Sequence, residues 1–324
     1  MIRVTIGVCT RNCGGYIGEA IDSILNQDFP HELIELIFVD ESEDNTLSVI
    51  QYHLSKSDIS SKVFHVFGKG LGYARNLVAA KALGEFIVWV DGDMTLPKDF
   101  VRKQVTFMEN HPSIGIARAK QALEHGNCLL ATLEGYSRAA GRMVDYQSEK
   151  ARAKTLGTGG AIYRTRIILQ VKGFDESIKG YGEDWDIEIR AKAVGWSLSM
   201  TDATYLDYER HGLTWRGLWR RYWRRGYDSH YFFHKYSGAI KHYRMFPPAA
   251  FLAGLIHARK LYKLKRESFV FLLPFQYLFK MTVWYFGFTR SHLDSYEYVN
   301  STSNEKSFQS SARALNVDGA VVGT

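Results

Sequence analysis

The chain begins with apolar and polar side chains in alternation, as in a half-buried β-strand. The apolar positions of this strand are Ile2, Val4, Ile6 and Val8. Apolar side chains then recur at helical spacing and predict a helix that ends near residues 26–30: Ile17, Ala20, Ile21, Ile24 and Leu25. A strand followed directly by an amphipathic helix indicates an α/β unit.

The unit then repeats along the first third of the chain. Apolar segments at 33–39, 62–67 and 85–90 predict further strands, and helices are predicted at 73–83 and 97–111. Such strand–helix–strand units need right-handed crossovers and form a mainly parallel open sheet, as in the Rossmann-like nucleotide-binding folds. We therefore predict an α/β fold that binds its ligand beyond the carboxyl ends of the strands.

Composition agrees with a folded catalytic domain that has an extension. The 324 residues are 46% hydrophobic, enough for a large core and too much for a disordered chain. No charged-then-apolar leader precedes the first strand, so we expect a cytosolic location. We predict a catalytic domain over residues 1–230, a basic and apolar helical region over 231–290, and a polar flexible tail over 291–324.

Positive charge is concentrated in one block. Residues 210–266 carry 14 lysines and arginines against 1 acidic residue, whereas the net charge of the whole chain is +7. Tryptophans and tyrosines lie between these cations, a pattern that suits an anionic membrane surface, a lipid diphosphate or nucleic acid. Because long apolar segments follow, we favour the membrane or the lipid over nucleic acid.

Two apolar segments in the last third raise the question of a membrane. Residues 246–258 are too few to span a bilayer, which takes about 20. Residues 268–289 are enough, but Pro274, Gln276 and Lys280 interrupt them. We expect interfacial or re-entrant helices, and the alternatives are a full span or a helical hairpin packed on the catalytic domain.

Two acidic clusters are the candidates for chemistry. Asp91 and Asp93 follow a predicted strand, where two carboxylates can share one Mg²⁺ or Mn²⁺ with the phosphates of a nucleotide. The second cluster, residues 183–186, could supply a general base or simply cap the helix predicted over 185–194. Both clusters suit a site that binds a nucleoside diphosphate and helps it to leave.

Six motifs, taken in order, resemble the inverting glycosyltransferases of family 2, which use the type-A nucleotide-sugar-binding fold (GT-A). The resemblance covers about residues 1–230. Its motifs lie at residues 8–12, 38–46, 70–76, 90–93, 157–161 and 180–186. The resemblance implies a nucleoside-diphosphate sugar as donor substrate and a divalent cation, Mn²⁺ or Mg²⁺, as cofactor.

The resemblance also implies roles on the donor side. The residues expected at the nucleotide and donor sugar are Thr10, Arg11, Asn12, Asp40, Arg75, Asp91, Gly159 and Gly160. The expected metal ligands are Asp93, Asp91 and His211. The family usually has two aspartates where this chain has Asp40 and Glu41, so either carboxylate is a candidate for the contact with the base.

On the acceptor side, the resemblance implies Asp184 as the general base that takes the proton of the acceptor hydroxyl. Glu183 and Asp186 are the alternatives, and Trp185 is expected either to stack on a sugar ring or to belong to the core. Residues 220–225, with Arg224 and Arg225, resemble a basic gate that binds the leaving diphosphate or the acceptor. The expected acceptor is a polyprenyl-linked or cell-surface glycan at the cytosolic membrane face.

Other functions compete with this one. The glycines at 68, 70 and 72 do not form the G-x-G-x-x-G pattern of a dehydrogenase, and no P-loop pattern occurs. A nucleotidyltransferase on a similar sheet stays open as an alternative. So does a non-catalytic protein that binds nucleic acid or sugar through the basic aromatic block.

Overall fold

Among the residues that the structure describes, a mixed sheet of eight strands forms the centre of the fold. The structure is a computed structural model that describes residues 1–142, 155–178, 180–207, 213–236 and 246–294. The strands are β1 Val4–Thr10, β2 Ile34–Asp40, β3 Ser60–His65, β4 Phe86–Asp91, β5 Met94–Thr95, β6 Ile114–Gln121, β7 Ala161–Arg164 and β8 Ser197–Asp207. Their order across the sheet is β3–β2–β1–β4–β7–β6–β8–β5.

Helices cover the sheet and extend beyond it. Those of the first part of the chain are α1 Ile17–Leu25, α2 Thr46–Leu54, α3 Leu71–Lys81, α4 Phe100–Asn110 and α5 Leu129–Arg142. Those of the second part are α6 Thr165–Gln170, α7 Glu183–Ala193, α8 Trp215–Lys235, α9 Pro247–Lys265 and α10 Leu273–Leu293. Short 3-10 turns at His31–Leu33 and Ser268–Leu272 precede β2 and α10.

The sheet has a hydrophobic core on each side. On one side, the inward side chains of β1 and β4 pack against α1 and α4. On the other side, β2 and β4 pack against α3, α6 and α7. Every residue of β2 is buried, as expected of a parallel strand covered on both faces. The predicted α/β fold is therefore confirmed.

The sheet is less uniformly parallel than the sequence pattern indicated. Strands β3, β2, β1 and β4 are parallel neighbours, and β6 is parallel to β8. In contrast, β7 is antiparallel to both β4 and β6, and β5 is antiparallel to β8. The chain enters β7 beside the carboxyl end of β4, where the Gly160 N–H donates to the Trp89 carbonyl at 3.0 Å. From that point β7 runs back along β4 in the antiparallel direction.

The carboxyl-terminal helices pack on α5 and α8 and on one another. Buried side chains of α5, α9 and α10 share one cluster, which includes Tyr136, Leu261 and Leu273. This packing corresponds to one of the alternatives from the sequence, a helical hairpin packed on the preceding part of the chain. Helix α8 continues through residue 230, so the predicted domain boundary falls inside a helix. Residues 295–324, most of the predicted tail, lie outside the described residues.

One stretch of the described chain, Ser268–Leu293, could cross a membrane by length and composition alone. Its most apolar window has a mean hydropathy of 1.2, and 39% of that window is buried inside the protein. The buried side of the helix includes Gln276 and Lys280, two of the residues that interrupt the apolar pattern.

Candidate active site

A cleft of about 660 Å³ opens where β1 and β4 end, a volume typical of pockets for small molecules and cofactors. Most of the predicted site residues line it: Thr10, Arg11, Arg75, Asp91, Asp93, Gly159, Glu183, Asp184, Trp185, Arg224 and Arg225. Asn12, Asp40 and Gly160 are not among the described residues of its wall. His211, the predicted third metal ligand, lies outside the described part of the chain.

Asp40 lies behind the cleft wall, at the end of β2. Its carboxylate is fully buried and accepts hydrogen bonds from the hydroxyls of Thr10 at 2.7 Å and Ser42 at 2.6 Å. His65 Nδ1 lies 3.0 Å from its second oxygen. The next residue, Glu41, lines the cleft. Of the two carboxylates that the sequence left open, Glu41 is therefore the one within reach of a ligand.

Asn12 shapes the loop that follows β1. Its backbone has a φ of 51°, a left-handed conformation in which asparagine is enriched. Its N–H donates to the Ser42 hydroxyl at 2.8 Å, and its side-chain oxygen accepts from the Glu43 N–H at 2.9 Å. Asn12 thus ties the loop after β1 to the loop after β2, next to the cleft.

Arg75 and Glu183 form a buried ion pair in the cleft wall. The Arg75 guanidinium also donates to the Thr158 hydroxyl. Burial lowers the pKa of Arg75, but the carboxylates of Glu183 and Asp184 outweigh burial and raise it overall. Burial raises the pKa of Glu183, and Arg75 opposes the rise. Arg75 is therefore held in place by a carboxylate of the second acidic cluster.

Asp91 and Gly159 meet closely at the floor of the cleft. Asp91 is exposed, whereas the other residues of β4 are buried. A Cβ atom on Gly159 would lie 2.5 Å from Asp91 Oδ2, so a side chain there would collide with the carboxylate. Asp93, two residues later, also lines the cleft. The two predicted metal-binding carboxylates thus open into one cavity.

A complete metal-binding cluster is not present within the described ranges. No group of 3 or more histidine, cysteine, aspartate or glutamate side chains there has a suitable arrangement. The carboxylates of Asp91 and Asp93 nonetheless have the chemistry that Mg²⁺ and Mn²⁺ prefer when substrate phosphates and water complete the coordination. These two residues fit such an ion.

Asp184 is the second residue of α7, whose N-cap, Gly182, has a φ of 119°. It is partly exposed to the cleft, and its Oδ1 accepts from the Trp185 N–H at 2.8 Å. Asp186 is completely buried, with Lys235 Nζ at 2.7 Å and the Tyr236 hydroxyl at 2.5 Å. Asp184 therefore opens into the cleft, whereas Asp186 belongs to an ion-pair network inside the fold.

Trp185 is partly buried at the wall of the cleft. It lines the cleft, and its ring packs edge-on against Tyr181 at 5.7 Å and Phe232 at 5.9 Å. The Arg225 guanidinium lies 4.9 Å from the Tyr181 ring centre and 5.1 Å from that of Tyr222. Arg225 is thereby held between two aromatic rings at the cleft wall, a cation–π arrangement.

Sequence reasoning missed residues that hold the loop before β7. Glu188 is fully buried and accepts from the N–H groups of Leu156 at 2.5 Å and Gly157 at 2.6 Å. Burial and the nearby Asp184 raise the pKa of Glu188 to about 8. Arg118 donates to the Leu156 carbonyl and to the Tyr205 hydroxyl. Glu188 lies one helical turn after Asp184, and this spacing in the sequence could have identified it. No comparable sequence pattern points to Arg118.

Comparisons with known proteins identify the family of the chain. The family model described as glycosyl transferase family 2 matches residues 5–169. The poly(ribitol-phosphate) beta-N-acetylglucosaminyltransferase TarS of Staphylococcus aureus is 31% identical over 114 residues, which is 35% of this chain and 20% of TarS. An uncharacterized glycosyltransferase of Haemophilus influenzae is 31% identical over 137 residues, 42% of this chain and 50% of that protein. The chain thus spans half or less of the length of these relatives.

Solved structures share the fold. The mannosyltransferase PcManGT from Pyrobaculum calidifontis, in complex with GDP-Man and Mn²⁺, superimposes with a TM-score of 0.62 at 18% identity, over 90% of this chain and 88% of PcManGT. A TarS fragment, 1–349, with UDP-GlcNAc has a TM-score of 0.52 at 20% identity, over 96% of this chain and 82% of the fragment. These similarities show a GT-A fold. Because the family model covers half of the sequence and the fold agrees with it, the chain belongs to glycosyl transferase family 2.

Proposed function

We propose that this protein is an inverting glycosyltransferase that moves a hexose from a nucleoside-diphosphate sugar to an acceptor hydroxyl. The observation that carries the proposal is the meeting of two distant acidic clusters in one cleft. Asp91 and Asp93 line the cleft where β4 ends, and Asp184 lines the same cavity from the start of α7. Glycosyl transfer needs both functions, a site for the leaving diphosphate and a base for the acceptor.

On the donor side, the proposal assigns the nucleotide to the ends of β1 and β2. Thr10 and Arg11 line the cleft there, and Glu41 is the carboxylate within reach of the base or ribose. Asp40 and Asn12 position these loops through the hydrogen bonds described above. Arg75 supplies positive charge near the phosphates, and Gly159, which lacks a side chain, allows the donor sugar to approach the backbone.

A divalent cation, Mn²⁺ or Mg²⁺, would be held by Asp93 and Asp91, with His211 as a further candidate ligand. When bound, such an ion stabilises the negative charge that develops on the leaving diphosphate. PcManGT was solved with Mn²⁺, which supports the same class of cofactor here.

In the transfer step, the acceptor oxygen forms a bond with the anomeric carbon while the bond from that carbon to the diphosphate oxygen breaks. The bonding electron pair leaves with the nucleoside diphosphate, and the hydroxyl proton passes to the Asp184 carboxylate. Glu183 is engaged with Arg75, so it positions the arginine rather than competing for this proton. Trp185, Arg224 and Arg225 are assigned to the acceptor side of the cleft.

For the acceptor, we propose a polyprenyl-linked or cell-surface glycan at the cytosolic face of the membrane. By its name, TarS transfers N-acetylglucosamine to poly(ribitol-phosphate), a polymer with anionic repeating units, which supports a polymeric acceptor here. The basic aromatic helix α8 borders the cleft and adjoins the apolar helix α10. This arrangement suits a substrate that has an anionic group and a lipid.

The test combines donor binding with donor turnover. We expect UDP or GDP compounds to raise the melting temperature in the presence of Mn²⁺ or Mg²⁺, and EDTA to reduce the shift. Asp184→Asn should keep this shift and lose sugar transfer, whereas Asp93→Ala should lose metal-dependent turnover. Asp202→Asn, at a carboxylate with 94% side-chain exposure, is the matched control and should transfer normally.

Normal transfer by Asp184→Asn would refute the assignment of the base. Release of pyrophosphate instead of a nucleoside diphosphate would indicate the nucleotidyltransferase alternative. The absence of a thermal shift with any nucleotide, in folded protein, would favour a non-catalytic binding protein.

A further inference from the structure

Helix α10 buries three polar residues among apolar ones and exposes large apolar side chains on its outer side. Its buried side includes Gln276, Lys280 and Ser291, which turn toward the protein. Its exposed large apolar side chains recur at helical spacing on the opposite side: Phe275, Leu278, Phe286 and Leu293. A surface helix in contact with water normally has the reverse arrangement. The outer face of α10 is therefore suited to an apolar environment.

Helix α9 extends this surface and adds positive charge. Four exposed residues lie on one helical face, apolar in the first half of the helix and basic in the second: Leu252, Ile256, Arg259 and Lys263. Lys260, Lys265 and Arg266 are also exposed near the end of α9. The turn that follows exposes Phe271 and Leu272. Exposed apolar side chains and cations thus occur together on α9 and on the turn that follows it, as in helices that lie in an anionic membrane interface.

Tryptophans of α8 border the same surface. Trp215 and Trp219 are exposed, and their rings lie 5.0 Å and 6.0 Å from that of Phe279 on α10. Trp219 also lies 6.0 Å from Phe286. Tryptophan is enriched at the boundary between lipid and water, where its ring is apolar and its N–H remains hydrated.

We propose that these residues form a docking face that binds an anionic bilayer surface without crossing it. The docking face consists of Trp215, Trp219, Leu252, Ile256, Arg259, Lys260, Lys263, Lys265, Arg266, Phe271, Leu272, Phe275, Leu278, Phe286 and Leu293. The proposal rests on the proposed function and extends it, because it names anionic lipid as the membrane component that the protein contacts. Its test measures lipid binding and does not depend on sugar transfer.

Two contacts argue that helix α10 does not cross the bilayer. Lys280 Nζ lies 2.9 Å from Glu134 Oε2 on α5, so the inner face is tied to the catalytic domain. A Cβ atom on Gly287 would lie 2.0 Å from the Trp223 carbonyl oxygen on α8, so the two helices are in direct backbone contact. A helix that crossed the bilayer on its own would break the ion pair and expose Lys280 to lipid, which is costly.

The composition of the docking face also favours lipid over a protein partner. The centres of protein interfaces are depleted in lysine, whereas here the cations directly adjoin the exposed aromatic and aliphatic residues. Docking would also place the cleft near the lipid headgroups. Trp219 and Arg224 lie about 8 Å apart along α8, at 1.5 Å per residue, and Arg224 lines the cleft.

The experiment is flotation of the purified full chain with vesicles. We expect binding to vesicles rich in phosphatidylglycerol, weak binding to phosphatidylcholine alone, and release by high salt. Ile256→Glu with Phe275→Glu should weaken binding by roughly tenfold or more. Lys260→Glu with Lys263→Glu should weaken it by about fivefold or more for each cation. Because all four side chains are at least partly in solvent, the variants should fold, and their melting curves should show it.

Matched controls lie on the catalytic domain. Leu169, which is 55% exposed, resembles Ile256 at 53%, and Lys98 is an exposed cation away from the docking face. Leu169→Glu and Lys98→Glu should leave vesicle binding unchanged. Nucleotide-induced thermal shifts measured without vesicles should be the same in all these variants, which separates lipid docking from the proposed function.

Three results would overturn the proposal. One is no vesicle binding by the wild-type chain, or equal binding by the variants and the controls. Another is resistance of the vesicle-bound protein to extraction by high salt and alkaline carbonate, which would indicate a membrane-spanning α10. The third is a stable dimer, disrupted by Ile256→Glu and Phe275→Glu, which would assign the docking face to a second copy of the chain.

Discussion

Lys280 Nζ of α10 lies 2.9 Å from Glu134 Oε2 of α5, and the side chains are 5% and 0% exposed. The Tyr222 hydroxyl of α8 donates to the other carboxylate oxygen at 3.0 Å. Burial alone would raise the pKa of Glu134, but the charge of Lys280 and that of Arg138 lower it to about 2. One buried carboxylate thus joins three helices, and Arg138, which lines the cleft, is its near neighbour.

We expect Lys280→Met to lower the free energy of unfolding by about 3–5 kcal/mol, because it leaves the Glu134 carboxylate buried without its main counter-charge. Adding Glu134→Gln should recover part of this loss, since the double variant buries no charge of the pair. Lys263→Met, at an exposed position of α9, is the control and should change stability by less than about 0.5 kcal/mol. Urea denaturation of the wild type and the three variants gives the measurement; a double variant no more stable than Lys280→Met would contradict the coupling.

Glu188 predicts a dependence of stability on pH. Its pKa is raised from 4.5 to about 8 in the folded protein because its carboxyl is buried next to Asp184. A group with a raised folded pKa stabilises the protein fully below its unfolded pKa and loses that contribution as the pH rises to the folded pKa. The stability advantage of the wild type over Glu188→Gln should therefore shrink between pH 4.5 and pH 8.

Denaturation midpoints at several pH values in that range provide the measurement. Glu43→Gln, at an exposed carboxylate in the loop after β2, is the control and should follow the wild-type pH profile. A Glu188→Gln profile parallel to that of the wild type would show that Glu188 does not titrate there.

Gly159→Ala tests the contact between the loop before β7 and Asp91. The new methyl carbon would lie 2.5 Å from Asp91 Oδ2, so the carboxylate must move. We expect donor turnover to fall by about a hundredfold, because a displacement of about 1 Å at a catalytic group has effects of that size. Steady-state kinetics with the donor identified by the thermal-shift panel gives the measurement.

Gly135→Ala is the control for that substitution. A Cβ atom there meets nothing within 4 Å, and the residue lies inside α5. Turnover should be unchanged, and stability should stay the same or rise by up to about 1 kcal/mol from the higher helix propensity of alanine. Equal turnover of the two alanine variants would exclude a steric role for Gly159.

Gly226→Ala tests the packing of α8 against α10. A Cβ atom on Gly226 would lie 1.9 Å from the Trp284 carbonyl oxygen, so the helices must separate. We expect a loss of about 1–3 kcal/mol in the free energy of unfolding, the usual range for overpacking. Gly217→Ala, in the first turn of the same helix and 3.4 Å from the nearest atom, should be neutral or stabilising. Similar stabilities of the two variants in thermal unfolding would argue against this close contact.

The sequence predicted those features that depend on neighbours along the chain. Alternating apolar residues indicated β1, continuous apolar runs indicated β2 and β4, and helical spacing indicated α1. Helix α3 begins at Leu71 rather than residue 73, because Gly70, with a φ of 86°, already stands at its N-cap. These elements follow from local conformational preferences and from the burial of one face or both. They were enough to bring Asp91 and Asp93 to the end of a strand.

The sequence alone did not determine which polar groups form hydrogen bonds and ion pairs with one another. Asp40 has a conspicuous position at a strand end, yet Thr10, Ser42 and His65 surround its carboxylate. Asp186 was an alternative to Asp184 in the sequence, and its buried contacts with Lys235 and Tyr236 are seen only in the structure. Pairing of this kind depends on contacts between residues far apart in the chain, for which a single sequence has no periodic signal.

The sequence by itself determined an α/β sheet with acidic residues at its strand ends and a basic, apolar carboxyl-terminal part, because local periodicity and charge are properties of neighbouring residues. Only the tertiary structure decided that β7 runs antiparallel, that Glu188 and Arg118 hold the cleft loop, and that Lys280 turns inward while Phe275 turns outward. Each of these outcomes depends on a partner more than 30 residues away or on a different helix, and a buried charge is tolerated only where such a partner meets it.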